Sequence, residues 1–277
     1  MAPKDDPGCY FAASAIAAVI NFPLWKASAI AQAGFKQQGN GALGQYLEAL
    51  KPPYKGVLAV MVGMTWARGA IFYGSDTGKA AMIAAGWDTA TSTVVPPLLV
   101  STFVQVVNQP IVRGSITVQD PASPYRSTSE ALRVIAATKG VSKLWHGISA
   151  GVMKTVPKYC TAIAAKDAVE AWLPKSDHPT HSTELGRSAV KSVVAGVAGA
   201  ALTNPLDVLR NEMFKTDLGV GATLRKLIRD EGKAWPSRGM GKNLVAVSIP
   251  IAITIFATDA LVNMKKGRAD ADAAPRR

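Results

Sequence analysis

Cysteine is scarce in this chain: 277 residues hold Cys9 and Cys160 and no other. Two distant thiols without a paired spacing exclude a disulfide framework and a cysteine-based zinc site. Histidine is nearly as rare, and His146, His178 and His181 form no ligand cluster. The last two fall in a polar stretch, "SDHPTHSTE", where solvated side chains are the simpler reading. Acids are outnumbered, 19 against 31 Lys and Arg, and no nucleophile stands at a catalytic spacing from a base. The chain is therefore not expected to be an enzyme. The N-terminus, "MAPKDDPG", lacks the Arg-rich run of a cleavable transit peptide and the apolar core of a secretory signal. The net charge of +12 comes without a basic helix or an aromatic sheet motif, so nucleic acid is not an expected partner.

What the chain does have is long apolar runs. Residues 8–24, 90–112 and 244–263 are almost free of charge. Runs of about 20 such residues are long enough to span a bilayer. Weaker runs at 57–75, 148–172 and 188–209 carry Gly, Pro and occasional Lys or Asp, as helices around a polar interior do. Six spans are expected. The bases lie largely between the runs: Lys26, Lys36, Lys51 and Lys55, then Arg126, Arg133, Lys139 and Lys143, then Lys215, Arg225, Lys226, Arg229 and Lys233. Such charge beside membrane spans attracts anionic lipid and helps to set orientation.

The runs belong to a repeat. "KPPYKG", "SKLWHG" and "WPSRG" end at Gly56, Gly147 and Gly239, about 90 residues apart, a period typical of repeated supersecondary units. Seven positions before these glycines stand Ala49, Gly140 and Gly232, and twenty after them Asp76, Asp167 and Asp259. Upstream of each unit's connector lies a proline within an apolar run: Pro23, Pro110 and Pro205. Each unit thus holds an apolar helix with a proline, a connector with a short amphipathic helix such as "GATLRKLIRDEG", an aromatic-basic-glycine turn, and a second apolar helix ending at an acid. The expected fold is an all-α membrane protein: three repeats of two transmembrane helices and a short connector helix, a six-helix bundle about a pseudo-threefold axis. The repeats are placed at approximately 8–84, 88–175 and 186–266 in one domain, with a polar tail at 267–277.

"NPLDVLR" (204–210), followed downstream by "DEGKAWPSRG", resembles the signature of the mitochondrial carrier family, and the resemblance runs over essentially the whole chain. It implies a multi-pass protein of the mitochondrial inner membrane with its connectors in the matrix and both termini on the other side. It implies kinks at Pro23, Pro110 and Pro205, and a matrix gate of interhelical salt bridges just below them. Acid and base three apart share a helix face, and buried there they pair with neighbours in bonds that can be exchanged. Here the signature is degenerate. "PLWKAS" has Trp25 and Ser28, and "PIVRGS" has Val112 and Ser115, where an acid and a base are expected; Asp207 and Arg210 alone persist. On this correspondence no interhelical bridge survives on the matrix side, and Asp207 pairs with Arg210 on its own helix.

The opposite gate retains Asp76, Lys79, Asp167 and Asp259. Lys79 is placed to meet Asp259, and Asp76 to meet Glu170, an unfavourable like-charge pair. Substrate contacts in the family lie about three turns before those acids, at Gly63, Lys154, Thr155 and Val247 in this sequence. Lys154 and Lys158 share a helix face and suit an anion. The turns at Gly56, Gly147 and Gly239, with Gly140 and Gly232, match the family's cardiolipin sites, since helix N-termini offer free N–H groups to phosphate. No other cofactor is expected. Lipid turns kept beside gate charges lost lead to the expectation of a transport-impaired, structural or accessory subunit of a respiratory-chain or ATP synthase type complex. The alternative is a working carrier of a small anionic metabolite by alternating access.

Overall fold

A computed structural model describes residues 7–36, 39–49, 51, 54–173 and 180–273, without side chains at a few helical positions, Asp167 and Glu170 among them. Every regular element among the described residues is helical. Long helices α1 (Pro7–Ala33), α3 (Val57–Ala84), α4 (Thr89–Thr117), α8 (His181–Thr216) and α10 (Met240–Ala273) alternate with short ones, α2 (Gly41–Ala49), α5 (Thr128–Lys139) and α9 (Val220–Glu231). A sixth wall element is broken into α6 (Ile148–Met153) and α7 (Thr155–Trp172). The walls close into a ring: α1 packs on α3, α3 on α4, α4 on α6 and α7, α7 on α8, α8 on α10, and α10 back on α1. Inside the ring α1, α4 and α8 also touch one another.

Among the described residues five helices, not six, are long and apolar enough to cross a membrane. The exception is the α6/α7 wall, and its chemistry explains the difference. Pro157 has no N–H for the carbonyl of Met153, and the helix breaks there, at Lys154. The same wall carries Lys154, Lys158, Lys166 and Asp167, which lower its apolarity.

Burial is inverted relative to a water-soluble core. On α1 the inward residues are small or polar, Ala13, Ser14, Ala17, Ala18 and Asn21, whereas Ile16, Val19 and Ile20 face outward. Leu58, Val62, Leu99, Phe103, Leu202 and Phe256 extend that outer apolar surface. This pattern suits helices that pack through small residues within lipid. Of the apolar positions on α9, Leu227 is buried and Leu224 packs beside it, while Ile228 is exposed.

The prolines sit inside continuous helices, and their neighbours grip the turn that starts the next wall. Pro110 leaves the carbonyl of Val106 without its helical donor, and the Trp145 indole N–H fills the gap at 2.9 Å. Gln109, just before Pro110, donates to the carbonyl of His146 at 2.8 Å. Asn204, just before Pro205, donates to the carbonyls of Pro236 and Arg238 at 2.7 and 3.2 Å. In the first unit Phe22, just before Pro23, packs its ring edge-on against Tyr54 at 5.8 Å. The same join is made by hydrogen bonds twice and by an aromatic contact once.

Candidate functional site

The connector end of the bundle is where α1, α4 and α8 converge. Ala29 and Ala33 of α1, Ile116 of α4 and Phe214 of α8 form a buried apolar cluster, with Trp25 and Val112 packed against it. Trp25 also lies against Phe22, ring centres 5.8 Å apart. Trp25 and Val112 thus make an apolar plug. Ser28 is buried, and Ser115 is turned toward α5, its hydroxyl 3.4 Å from that of Thr128.

Charge is concentrated just above the plug. The Lys154 ammonium, at the α6/α7 break, donates to Asp207 Oδ1 on α8 at 2.6 Å. Arg210 reaches the same oxygen from one turn along α8, at 3.3 Å. The three side chains are 11%, 15% and 9% exposed. Buried charges persist when paired in this way. Arg210 also lies over the Phe214 ring, 5.9 Å from its centre, so it joins charge to plug. Its Nε has no hydrogen-bond partner among the described residues, nor has Gln109 Oε1. Gln109 Oε1 lies close to Gly151, together with Arg210 Nη1 and Gln105 Oε1. Lys158 stays exposed and lies within electrostatic reach of Asp207, Arg210 and Arg68. Arg68, from α3, donates to Thr254 of α10 at 3.3 Å, across the inner face of the bundle. Three cations, Lys154, Arg210 and Lys158, thus surround one carboxylate, and Arg68 adds its charge beside Lys158.

Below the plug, two carboxylates tie the connectors to the walls. Glu212 is 0% exposed and takes Lys226 at 2.8 Å and Arg238 at 2.9 Å. Arg238 also pairs with Glu231 and donates to the carbonyl of Gln32 at 2.9 Å. Gln32 in turn donates to Asn204 at 2.9 Å, which joins α1 to α8. Asp217 closes α8 in the left-handed conformation, φ 55°, and pairs with Arg113 and Lys139. Arg113 is 1% exposed and also donates to the carbonyl of Lys143. Burial opposes ionisation of Asp217, yet the Lys139 hydrogen bond and the Arg113 charge hold its carboxyl below the usual carboxylate range. Burial and the nearby Arg113 charge lower the pKa of His146, whose Nε2 lies 3.0 Å from the carbonyl of Leu218.

Comparison with known proteins adds to this geometry. The mitochondrial carrier protein family model matches residues 87–177. Bovine mitochondrial brown fat uncoupling protein 1 is 25% identical over 238 residues, 75% of this chain and 73% of the relative. The protein MITOFERRINLIKE 1, chloroplastic, of Arabidopsis thaliana is 24% identical over 224 residues, 74% of this chain but 52% of the relative. The mitochondrial adenine nucleotide transporter of the same plant is 27% identical over 170 residues, 52% of this chain and 48% of the relative. The chain thus spans about half the length of two of these three. It belongs to the mitochondrial carrier family.

For this carrier the structure corrects several sequence expectations. The connector end does contain an interhelical bridge. Asp207 finds Lys154, a residue expected to contact substrate, rather than a signature base, and it keeps Arg210 on its own helix as well. Thr155 is buried beside Lys154, its hydroxyl 3.4 Å from the carbonyl of Gly151. Gly63 does not face the centre. It lies under α4, where Asn108 donates to its carbonyl at 3.2 Å and a Cβ would meet Ile111 at 3.4 Å. Val247 packs toward Gly196 of α8, in the wall contact rather than the lumen. At the other end Lys79 makes no ion pair among the described residues, so the expected pair with Asp259 is not formed; Asp259 accepts from Asn263 at 3.1 Å. Asp76 is half-buried on α3, and the side chains of Asp167 and Glu170 lie outside the described residues.

The even walls α3, α6 and α10 begin after Gly56, Gly147 and Gly239, with φ of 75°, 81° and 69°. No side chain caps the α3 or α6 start, and the first N–H of α3, that of Val57, donates to the carbonyl of Tyr54 at 3.2 Å. Gly140 and Gly232, φ 90° and 61°, end α5 and α9. Sequence reading missed Arg68, Arg113 and Glu212. An isolated Arg inside the 57–75 run was the available signal for the first.

Proposed function

We propose that this chain is a solute carrier of the mitochondrial inner membrane that moves a small anion by alternating access, with the connectors in the matrix and the termini on the opposite side. The observation that carries this reading is the Lys154–Asp207 pair at 2.6 Å. A residue at the expected solute position is itself the partner that holds α8 to the neighbouring α6/α7 wall. An anionic solute that reaches Lys154 competes with Asp207 for the ammonium, and Asp207 retains Arg210 at 3.3 Å when Lys154 leaves. Solute binding and release of the bridge are then one event, and the charge vacated is never left bare. Lys158 and Arg210 add positive charge around a single carboxylate, and Arg68 adds more beside Lys158, which favours anions over cations. The apolar plug of Trp25 and Val112 supplies the rest of the seal. Cardiolipin headgroups are proposed to sit at the helix starts of Gly56, Gly147 and Gly239, with Gly140 and Gly232 completing two of the sites.

The expectation of an accessory subunit rested on a gate with no interhelical bridge, and the pair at 2.6 Å removes that premise. The two roles separate in one experiment. Purified protein in liposomes is assayed for uptake of phosphate, carboxylates and nucleotides, and the same preparation is run on a native gel. Saturable uptake that is lost in Lys154→Ala, from a protein migrating alone, is expected. No uptake of any anion, with co-purification in fixed ratio with a large membrane complex, refutes the carrier reading and favours the accessory one.

A further inference from the structure

A second basic site lies on the connector face, away from the solute position. A cavity of about 320 Å³ opens between the end of α1, helix α2 and the end of α4. Lys26, Lys36, Lys51 and Lys55 line it, against Glu48 and Asp120. Both carboxylates already have donors. Glu48 holds Lys51 at 2.5 Å, and Asp120 accepts from the backbone N–H of Ala122 at 2.9 Å. Among the described residues the ammonium groups of Lys26 and Lys55 donate to backbone carbonyls, those of Lys51 and Ser123, at 3.3 and 3.4 Å. Lys36 makes no ion pair among the described residues. Four ammonium groups against two occupied carboxylates leave an excess of positive charge in a concave space. Its volume lies at the small end of the range usual for ligand pockets, about 300–1,000 Å³.

The frame of the cavity is fixed. Gln119 donates to the carbonyls of Lys55 and Ser115 at 2.9 and 3.2 Å, which locks the loop before α3 to the end of α4. Lys26 stands 6.0 Å over the Tyr54 ring, which limits where its head can go. The lysines come from separate elements, so a ligand that engages them bridges α1 to the loop that leads into α3. A compact anion with several charged oxygens matches this arrangement, because charge-assisted bonds to such oxygens are short and strong.

We infer that this cavity binds a multiply charged phosphoryl group from the connector face, supplied either by a soluble phosphate compound or by a lipid headgroup. Binding there pins the plug-bearing part of α1, where Trp25 adjoins Lys26, to α2 and the end of α4. Occupancy therefore stabilises the state in which the connector end is shut.

The test needs no transport, so it stands whether or not the proposed solute activity does. The full chain, purified in detergent without added cardiolipin, is titrated with inorganic pyrophosphate by calorimetry and thermal shift. Lys36→Gln/Lys51→Gln is the test variant, since both side chains lie toward solvent and the fold does not depend on them. Lys26→Gln is the second variant, and Lys233→Gln the control. Saturable pyrophosphate binding that weakens with salt, and roughly tenfold in the double variant but not in the control, supports a soluble source. Cardiolipin retained by wild type in native mass spectrometry, displaced by pyrophosphate and reduced in the same variants, supports the headgroup. If neither probe distinguishes wild type from both variants, the inference is wrong.

Discussion

Asp207→Asn removes one charge and almost no volume, which makes it a clean perturbation of the gate. In the structure a single oxygen, Asp207 Oδ1, serves both Lys154 at 2.6 Å and Arg210 at 3.3 Å. With asparagine there, two largely buried cations face each other with no counter-charge. At about 5 Å and an effective dielectric constant of about 20, their repulsion alone is about 3 kcal/mol. Breaking a buried pair by removing one partner generally costs about 3–5 kcal/mol, in line with that figure. Lys154→Gln is expected to do less. Asp207 keeps Arg210, so the loss is that of one charged hydrogen bond, about 1.5–3 kcal/mol. At roughly 2–3 °C per kcal/mol for a chain of this size, Asp207→Asn lowers the melting temperature by roughly 6–15 °C and Lys154→Gln by roughly 3–9 °C. Thermal unfolding of the purified proteins in one detergent, at constant lipid content, measures the order. A shift for Asp207→Asn no larger than that for Lys154→Gln would falsify the claim that one carboxylate neutralises both cations.

Three further outcomes are expected. Trp25→Ala removes half-buried bulk from the plug; it should cost about 2–4 kcal/mol in chemical unfolding and make reconstituted liposomes leak small solutes. Asp217→Asn probes the connector clamp through pH: because the folded carboxyl titrates below its ordinary value of about 3.9, its stabilising effect is complete above that pH and is lost as pH falls through the lower folded value. The difference in melting temperature between wild type and variant should therefore be constant from neutral pH to about 5 and shrink toward pH 3; a difference that grows on acidification contradicts the assignment. Gly239→Ala places a Cβ 2.8 Å from the backbone nitrogen of Gln32 at a φ of 69°, so it should lower the melting temperature and the amount of cardiolipin retained in native mass spectrometry together.

The architecture was readable in the sequence because it is written in spacing. Proline and turn glycine recur together, and the glycines mark helix starts; the acids do not end their helices as expected, since α3 runs on past Asp76 to Ala84, α7 past Asp167 to Trp172 and α10 past Asp259 to Ala273. Gly56, Gly147 and Gly239 all take positive φ, which a glycine at a helix start permits at little steric cost. The broken wall was readable in principle too. Pro157 stands three residues after Lys154, yet the run 148–172 was read by its apolar content, which conceals one missing N–H.

The site was readable only in part, and the reason is geometric. A signature aligns each acid with the base of a neighbouring copy, so it tests three pairings and no others. Asp207 satisfies its charge with Lys154, a residue 53 positions earlier that belongs to a different functional set. No periodicity links the two; they meet because α6 ends where α8 passes. Gly63 and Val247 failed for the converse reason. Counting back along a helix fixes height along the axis, but the direction a residue faces depends on what its neighbours press against it. Asn108 captures the carbonyl of Gly63, and Gly196 admits Val247, so both positions are spent on wall contacts. What remains facing inward at that height is Lys154, already committed to Asp207. On the proposed function, an anion that draws Lys154 to itself weakens the Lys154–Asp207 pair, so solute binding and the interhelical bridge compete for one ammonium.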